Sequence, residues 1–339
     1  MPKELAHWWL ARETLESFKN TCPLLAGLLE RNTNVFLLGA IGPDYLFYYL
    51  YGSELGRFGE ASKILHGAAG GDTLAIVAKT ADTWYAEGEN AVPEAVWAFL
   101  FGYACHVAAD SVFHPLVFYI AGKGDKEAVY NHHLFETVMD LYVKDVLKPA
   151  GLPLRLRSLS SRMEMKRDAF LGLLGFVSFA GAAYNRAALA VCLRRYERLQ
   201  AALWSFPWQT LARIAGTAGG GLKCFIPSFY RKSYYALTPV FEQTFSYRNP
   251  VTGESHTHSI ADLRQEAVRQ AGGMAAVFEQ ALASPSSSPA AYLEKLRGPN
   301  LETGLYGDNA AKITYTLPGG LKEVFSSAGL EHALKEALF

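Results

Sequence analysis

A chain of 339 residues can form one large domain or two smaller ones, each with a full core. Half of its residues are apolar and 13% are aromatic, which excludes a disordered polymer. Thirty-two basic residues cancel thirty-two acidic ones, so the balance gives no footprint for nucleic acid and no polybasic face for anionic lipid.

Apolar residues recur at three- and four-residue steps through most of the chain and strand-like alternation is scarce, which predicts an all-α fold. The first helix is expected over Lys3–Phe18 and a second over Ala61–Ala86, after the glycine-rich stretch Tyr51–Gly59. A long helix follows over Pro93–Tyr119, then another over Asn131–Leu147, closed by Lys148-Pro149. Helical spacing returns over Arg162–Leu203, Ala261–Ala283 and Ser288–Leu296. Loops are expected at Gly216–Gly221, at Arg248-Asn249-Pro250 with Thr252-Gly253, and at Ser284–Pro289. Ala169–Tyr184 carries no charge over sixteen residues, short of the ~20 that span a bilayer. It reads as a buried helix or helical hairpin, with a surface dipping into a lipid interface as the alternative.

The four cysteines (Cys22, Cys105, Cys192 and Cys224) lie far apart without a C-x-x-C pair and read as small hydrophobes. The N-terminus lacks a basic stretch followed by an apolar one, so a cytoplasmic location is expected, with peripheral membrane contact as a further expectation. Neither G-x-S-x-G, nor a P-loop, nor a dinucleotide fingerprint is present.

Histidine placement is the informative feature. Six of the nine fall in the first 133 residues, and three chemistry-bearing side chains form His106-Val-Ala-Ala-Asp110-Ser-Val-Phe-His114. Four-residue steps put all three on one helical face, with His106 and His114 ~12 Å apart along the axis. Zinc–nitrogen bonds are only about 2 Å long, so these two histidines serve different ions, with Asp110 placed to bridge. An aspartate buried between histidines in an apolar helix needs a charge partner or a metal. His132 and Glu136 repeat the i, i+4 spacing, while His133 is rotated ~100° away. Asp44 closes Gly39-Ala-Ile-Gly-Pro-Asp44, where Gly42-Pro43 predicts a tight turn that aims the carboxylate inward. His66 lies within an apolar helical face, and His7 precedes Trp8-Trp9. A lone histidine of this kind is ordinarily a hydrogen-bonded core or surface residue. Together the set offers nitrogen and oxygen ligands without thiolate, which suits zinc in a polynuclear hydrolase. His256 and His258 read as part of a polar loop, and His332 has no partner in the sequence.

The ordered set His7, Asp44, His66, His106, Asp110, His114, His132 and Glu136 resembles the bacterial zinc-dependent phospholipases C, which share their metal cage with fungal zinc single-strand nucleases. The resemblance covers the first ~150 residues closely and returns weakly at Asn249–Gly253. It implies an all-helical fold with two or three zinc ions in a cleft. On that pattern Asp44, His66, His106 and Asp110 hold one ion, and His114, His132 and Glu136 a second. Asp110 bridges to a third, helped by His7. Secreted members complete the third site with a mature N-terminal Trp, whereas here Met1-Pro2 stands first and Trp8 follows His7. The implied organisation is a catalytic helical domain over residues 1–240 with a helical extension over residues 241–339 packed on it.

The implied function is hydrolysis of a phospholipid headgroup by metal-activated water, with Asp44 as the residue that orients or deprotonates it. Nucleic acid is not expected as a partner. Two alternatives accompany this reading: a nuclease or small-phosphoester hydrolase with the same cage, and a non-catalytic helical protein stabilised by metal. Aromatics at Trp8, Trp9, Tyr45, Phe47, Tyr48 and Tyr49 suit stacking on a base or caging a cation, though most read as core.

Overall fold

The structure, a computed structural model, describes residues 3–88, 91–217, 221–307 and 312–338. In chain order the helices are α1 (Glu4–Phe18), α2 (Pro23–Arg31), α3 (Thr33–Gly39), α4 (Leu55–Leu65), α5 (Ala75–Glu87), α6 (Glu94–Ala121) and α7 (Lys126–Tyr142). They continue as α8 (Leu156–Ser160), α9 (Arg167–Phe179), α10 (Arg186–Leu203), α11 (Phe206–Thr217), α12 (Ile260–Leu282), α13 (Ala290–Leu293), α14 (Gly320–Ser327) and α15 (Glu331–Leu338). Between α11 and α12 lie 3₁₀ turns over Gly221–Ser228 and Lys232–Glu242 and an antiparallel hairpin of β1 (Thr244–Arg248) and β2 (Ser255–Ser259). The fold is mainly helical, as the periodicity predicts.

Helix α6 is the axis of the molecule. It is apolar on every face, so by length and composition it could cross a bilayer; instead its apolar window is buried within the protein. Around it pack α1, α3, α7 and α12, with α2 and α5 beyond. The elements after residue 240 interleave with this core: α12 lies against α1, α2 and α6, β1 and α14 against α6. One apolar cluster joins α1, α6 and α7 to residues of the 3₁₀ turn Lys232–Glu242, the hairpin, α12, α14 and α15.

Several expected elements change. The predicted helix Ala61–Ala86 is two helices, broken at Gly67, whose φ of 80° a side chain tolerates poorly. His66 consequently caps the end of α4 rather than lying inside a helical face. The helix expected from Asn131 starts at Lys126, where the Asp125 carboxylate accepts from the Ala128 N–H, and its last turn, Val143–Leu147, is a π turn. Arg162–Leu203 is a pair, α9 and α10; Phe170, Leu171, Leu173, Leu174 and Val177 point into the core, which rejects a lipid-dipping role for the apolar side chains of Ala169–Tyr184. Ser288–Leu296 shrinks to α13. Helices α2 and α3 replace a stretch without an expected element, and Gly42–Tyr48 is a 3₁₀ helix rather than a simple turn. His256 and His258 lie on β2 rather than in a loop, so the region after residue 240 is not purely helical. Of the loop expected at Gly216–Gly221, residues 218–220 lie outside the described residues, as do Met1 and Pro2. Cys22, Cys105 and Cys192 are buried, and the described residues contain no disulfide.

Candidate metal centre

His106, Asp110 and His114 follow one another on α6 and all are buried. One turn before His106 stands Gly102, where an added Cβ would collide with the Phe36 carbonyl; at Gly39 it would collide with that of Phe99. This glycine-on-glycine crossing brings the backbone of α3 onto α6. The chain leaving α3 therefore turns beside His106, and the 3₁₀ helix Gly42–Tyr48 delivers Asp44. Its Oδ1 lies 3.7 Å from His106 Nε2 and 3.3 Å from His66 Nε2.

His7 arrives from the other side. The Asp140 carboxylate accepts from the N–H groups of Leu5 and Ala6 at 3.2 and 3.0 Å, anchoring the first turn of α1 on α7. His7 then stacks on His106, ring centroids 4.2 Å apart, with Nε2 3.2 Å from Asp110 Oδ1. The remaining donors come from α6 and α7: Glu136 Oε1 lies 2.7 Å from His132 Nε2 and 3.8 Å from His114 Nε2.

The eight side chains singled out in the sequence thus fall into three groups: His7, His106 and Asp110; Asp44, His66 and His106; His114, His132 and Glu136. Within each, donor atoms lie within 4.8 Å of one another, close enough to hold a metal ion. His106 and His114 sit in different groups. His133 belongs to none, its ring turned toward Phe225. His332 is on the surface, 3.3 Å from Glu336. Of the aromatics, Trp8, Trp9, Tyr45 and Tyr49 are core, whereas Phe47 is 44% exposed with its ring 5.0 Å from that of His66.

Three imidazoles share one device. The Nδ1 atoms of His66, His106 and His114 lie 2.7, 3.0 and 2.6 Å from the carbonyl oxygens of Ser62, Ala40 and Leu301. A carbonyl only accepts, so each Nδ1 carries a proton, and each Nε2, when an ion takes the place of any proton there, presents a lone pair beside a carboxylate. Two acceptors facing each other repel unless a cation or proton lies between. His106 Nε2, His114 Nε2, both ring nitrogens of His7 and both oxygens of Asp110 are buried without an aligned hydrogen bond. Buried polar atoms left this way cost about 1–3 kcal/mol each, and a metal ion satisfies them together. The donor set fits zinc.

The electrostatics agree. Burial opposes a charge on Asp110, yet His114, His106 and His7 hold its carboxyl well below the usual range. Burial also disfavours a charged His106, but Asp110 and Asp44 outweigh it and lift that imidazole to about 9. The space between these groups calls for positive charge. Burial, then His106, lowers His7; burial carries His114 and His132 well below the ordinary imidazole range. Each of these shifts favours the neutral form, the state in which imidazole binds metal.

Two sets of contributing residues carry no mark in the motif reading. Asp140 continues the row His132, Glu136 by one more four-residue step and is the anchor of α1, with Glu4 and Tyr230 beside it; the Tyr230 hydroxyl donates to Asp140 at 2.6 Å. That row was extendable from the sequence. The second set is the loop after α13. Leu301 gives its carbonyl to His114 and its N–H to the carbonyl of His66, while the Asn300 amide donates to the Gly67 carbonyl. Gly304, at φ 70°, packs its backbone against the Ser111 carbonyl, which Pro115 leaves without its helical donor. Gly298-Pro299 signals a turn in the sequence, but not where the turn lands.

Cavities of about 630 Å³, between α4, α5 and α9, and about 530 Å³, beside the hairpin and α12, are lined by none of the eight donors. Of the eight, His132 reaches solvent most, its side chain 17% exposed beside Phe118.

Fold and site define a mainly helical protein with imidazole and carboxylate donors clustered as in polynuclear metal centres. The chain belongs to the zinc-dependent phospholipase C family: the family's model matches residues 6–175, a stretch that contains all eight donors. No curated protein and no solved structure matches the chain.

Proposed function

We propose that the protein is a zinc-dependent phosphodiesterase that hydrolyses the headgroup ester of a phospholipid. Asp44, His66, His106 and Asp110 would hold one ion; His114, His132 and Glu136 a second; Asp110 and His7 would reach a third. The observation that carries the reading is the trio of carbonyl-anchored imidazoles whose Nε2 lone pairs converge on buried carboxylates. Bound zinc acidifies water to a pKa of about 7 and neutralises phosphate oxygens.

The chain's own groups do the rest. Asp44, only 3% exposed, sits between His66 and His106, where its carboxylate orients the attacking water and takes its proton. Phe47 and Phe118 border the imidazoles of His66 and His132 and keep bulk water from the reacting phosphate. Choice of lipid over nucleic acid rests on exposed apolar side chains near the donors, Phe47 beside His66 among them.

The test is release of phosphoalcohol from dispersed phospholipid, run beside digestion of single-stranded DNA and RNA at equal enzyme. Lipid cleavage that Asp44→Asn lowers by about 10²–10⁴-fold, with the helical fold retained, is the expected result. Nuclease activity without lipid cleavage would transfer the cage to the alternative substrate class. Inactivity on both, with zinc bound, would favour the metal-stabilised, non-catalytic reading.

A further inference from the structure

The zero net charge conceals a local imbalance. From Arg198 to Phe241 the chain carries five basic residues (Arg198, Arg213, Lys223, Arg231 and Lys232) and no acidic one. In a protein with equal numbers of acids and bases, an acid-free run of 44 residues is a cationic region.

The same stretch holds large exposed apolar side chains. At the start of α11, Phe206 is 77% exposed, Trp208 55% and Leu211 53%, and no charge occurs from Trp204 to Ala212. In the turn Gly221–Ser228, Phe225 is 49% exposed. Phe and Trp on an exposed helix start cost hydration unless something apolar covers them. A Trp among apolar residues, next to cations and without acids, matches the chemistry of an anionic lipid–water interface.

Position ties this surface to the centre. Helix α11 packs on the turn Gly221–Ser228, and that turn packs along α7, which carries His132 and Glu136. The Phe225 ring lies 5.6 Å from that of His133, the neighbour of the most exposed donor.

We propose that α11 and the turn Gly221–Ser228 form the surface by which the protein docks on an anionic membrane, Phe206, Trp208, Leu211 and Phe225 entering the interface while the acid-free stretch supplies the positive charge that lipid phosphates attract, the exposed Lys232 included. The inference rests on the phospholipid reading above and names where that substrate's surface is met. Docking through this face brings the His132 side of the centre to the lipid.

The experiment uses the full-length, zinc-loaded protein and two kinds of vesicle: phosphatidylcholine alone, and phosphatidylcholine mixed with phosphatidylglycerol. Cosedimentation is expected with the mixed vesicles, weakening as salt is raised. The double variant Phe206→Ser, Trp208→Ser should lower vesicle affinity roughly tenfold or more. Lys223→Gln with Lys232→Gln should lower it about fivefold for each cation removed. Both pairs should leave thermal unfolding, and hydrolysis of a monomeric short-chain phospholipid, unchanged, while hydrolysis of vesicle lipid falls with binding. Wild-type vesicle affinity in both pairs would overturn the proposal. So would a wild-type dimer that Phe206→Ser, Trp208→Ser dissociates without any effect on vesicles, since the face would then join two copies. Vesicle binding lost in the variants, with no lipid hydrolysed by the wild type, would support the docking surface and sink the phospholipase reading instead.

Discussion

The two halves of the centre are built from the same residue types and differ in access. Around His106 the side chains of His7 and Asp110 are sealed, and Asp44 and His66 nearly so. Around Glu136 the third donor, His132, reaches solvent. A sealed site holds an ion slowly exchanged and contributes to folding, whereas an open one can trade a ligand for water or substrate. The physical difference comes from the scaffold: the sealed half lies at the crossing of α1, α3 and α6, the open half midway along α7 and beneath the loop that carries Leu301.

The largest expected effect comes from the residue that links the halves. Asp110 Oδ2 lies 3.0 Å from His106 Nε2 and 3.8 Å from His114 Nδ1, and Oδ1 faces His7. Asp110→Ala leaves buried imidazoles without their counter-charge and should cost about 3–5 kcal/mol together with most of the zinc. His7→Ala touches one group only and should lose less of both. Zinc content and thermal unfolding of the two variants measure the ranking. Equal losses would make His7 a full partner and erase the distinction between linker and supporter.

Next in size is Gly102→Ala. Its methyl would push α3 off α6, at about 1–3 kcal/mol, and carry Asp44 away from His106. Zinc should fall in the sealed half while the His114, His132 and Glu136 group keeps its ion. Unchanged metal content and stability would mean that the crossing does not position Asp44.

The smallest effect is a pH slope. Burial, and then Glu4, raise the Asp140 carboxyl to about 7 from an ordinary ~3.9. Between these values the native state keeps a proton that the unfolded chain has released. This stabilisation is complete below about pH 4 and is lost as pH rises through about 7. Asp140→Asn should therefore flatten the fall in melting temperature between about pH 5 and pH 8. A slope as steep as in the wild type would assign it to other groups.

What the sequence made legible was whatever shows in side-chain spacing. His106, Asp110 and His114 at four-residue steps, and His132 with Glu136, stand on helices whose period fixes their face. What it hid has two physical sources. Glycine effects are local and easily passed over: Gly67 ends α4, and Gly70-Gly71 follows at once, although periodic apolar residues run through both. Likewise the alternation Thr244-Phe-Ser-Tyr-Arg248 and the turn at Asn249–Gly253 signal a hairpin that the neighbouring helices obscure. The second source is chemical. The groups that orient His66, His106 and His114 are backbone carbonyls, which every residue has, so no side-chain pattern can mark Ser62, Ala40 or Leu301.

The central claim is that the two halves hold separate ions, because His106 and His114 belong to different donor groups. Elemental analysis of the protein purified without chelator tests it directly, repeated after brief dialysis against a weak chelator. The account predicts at least two zinc ions per chain at first, with the His114, His132 and Glu136 ion leaving before the other. One ion or none, in a fully folded protein, would contradict it.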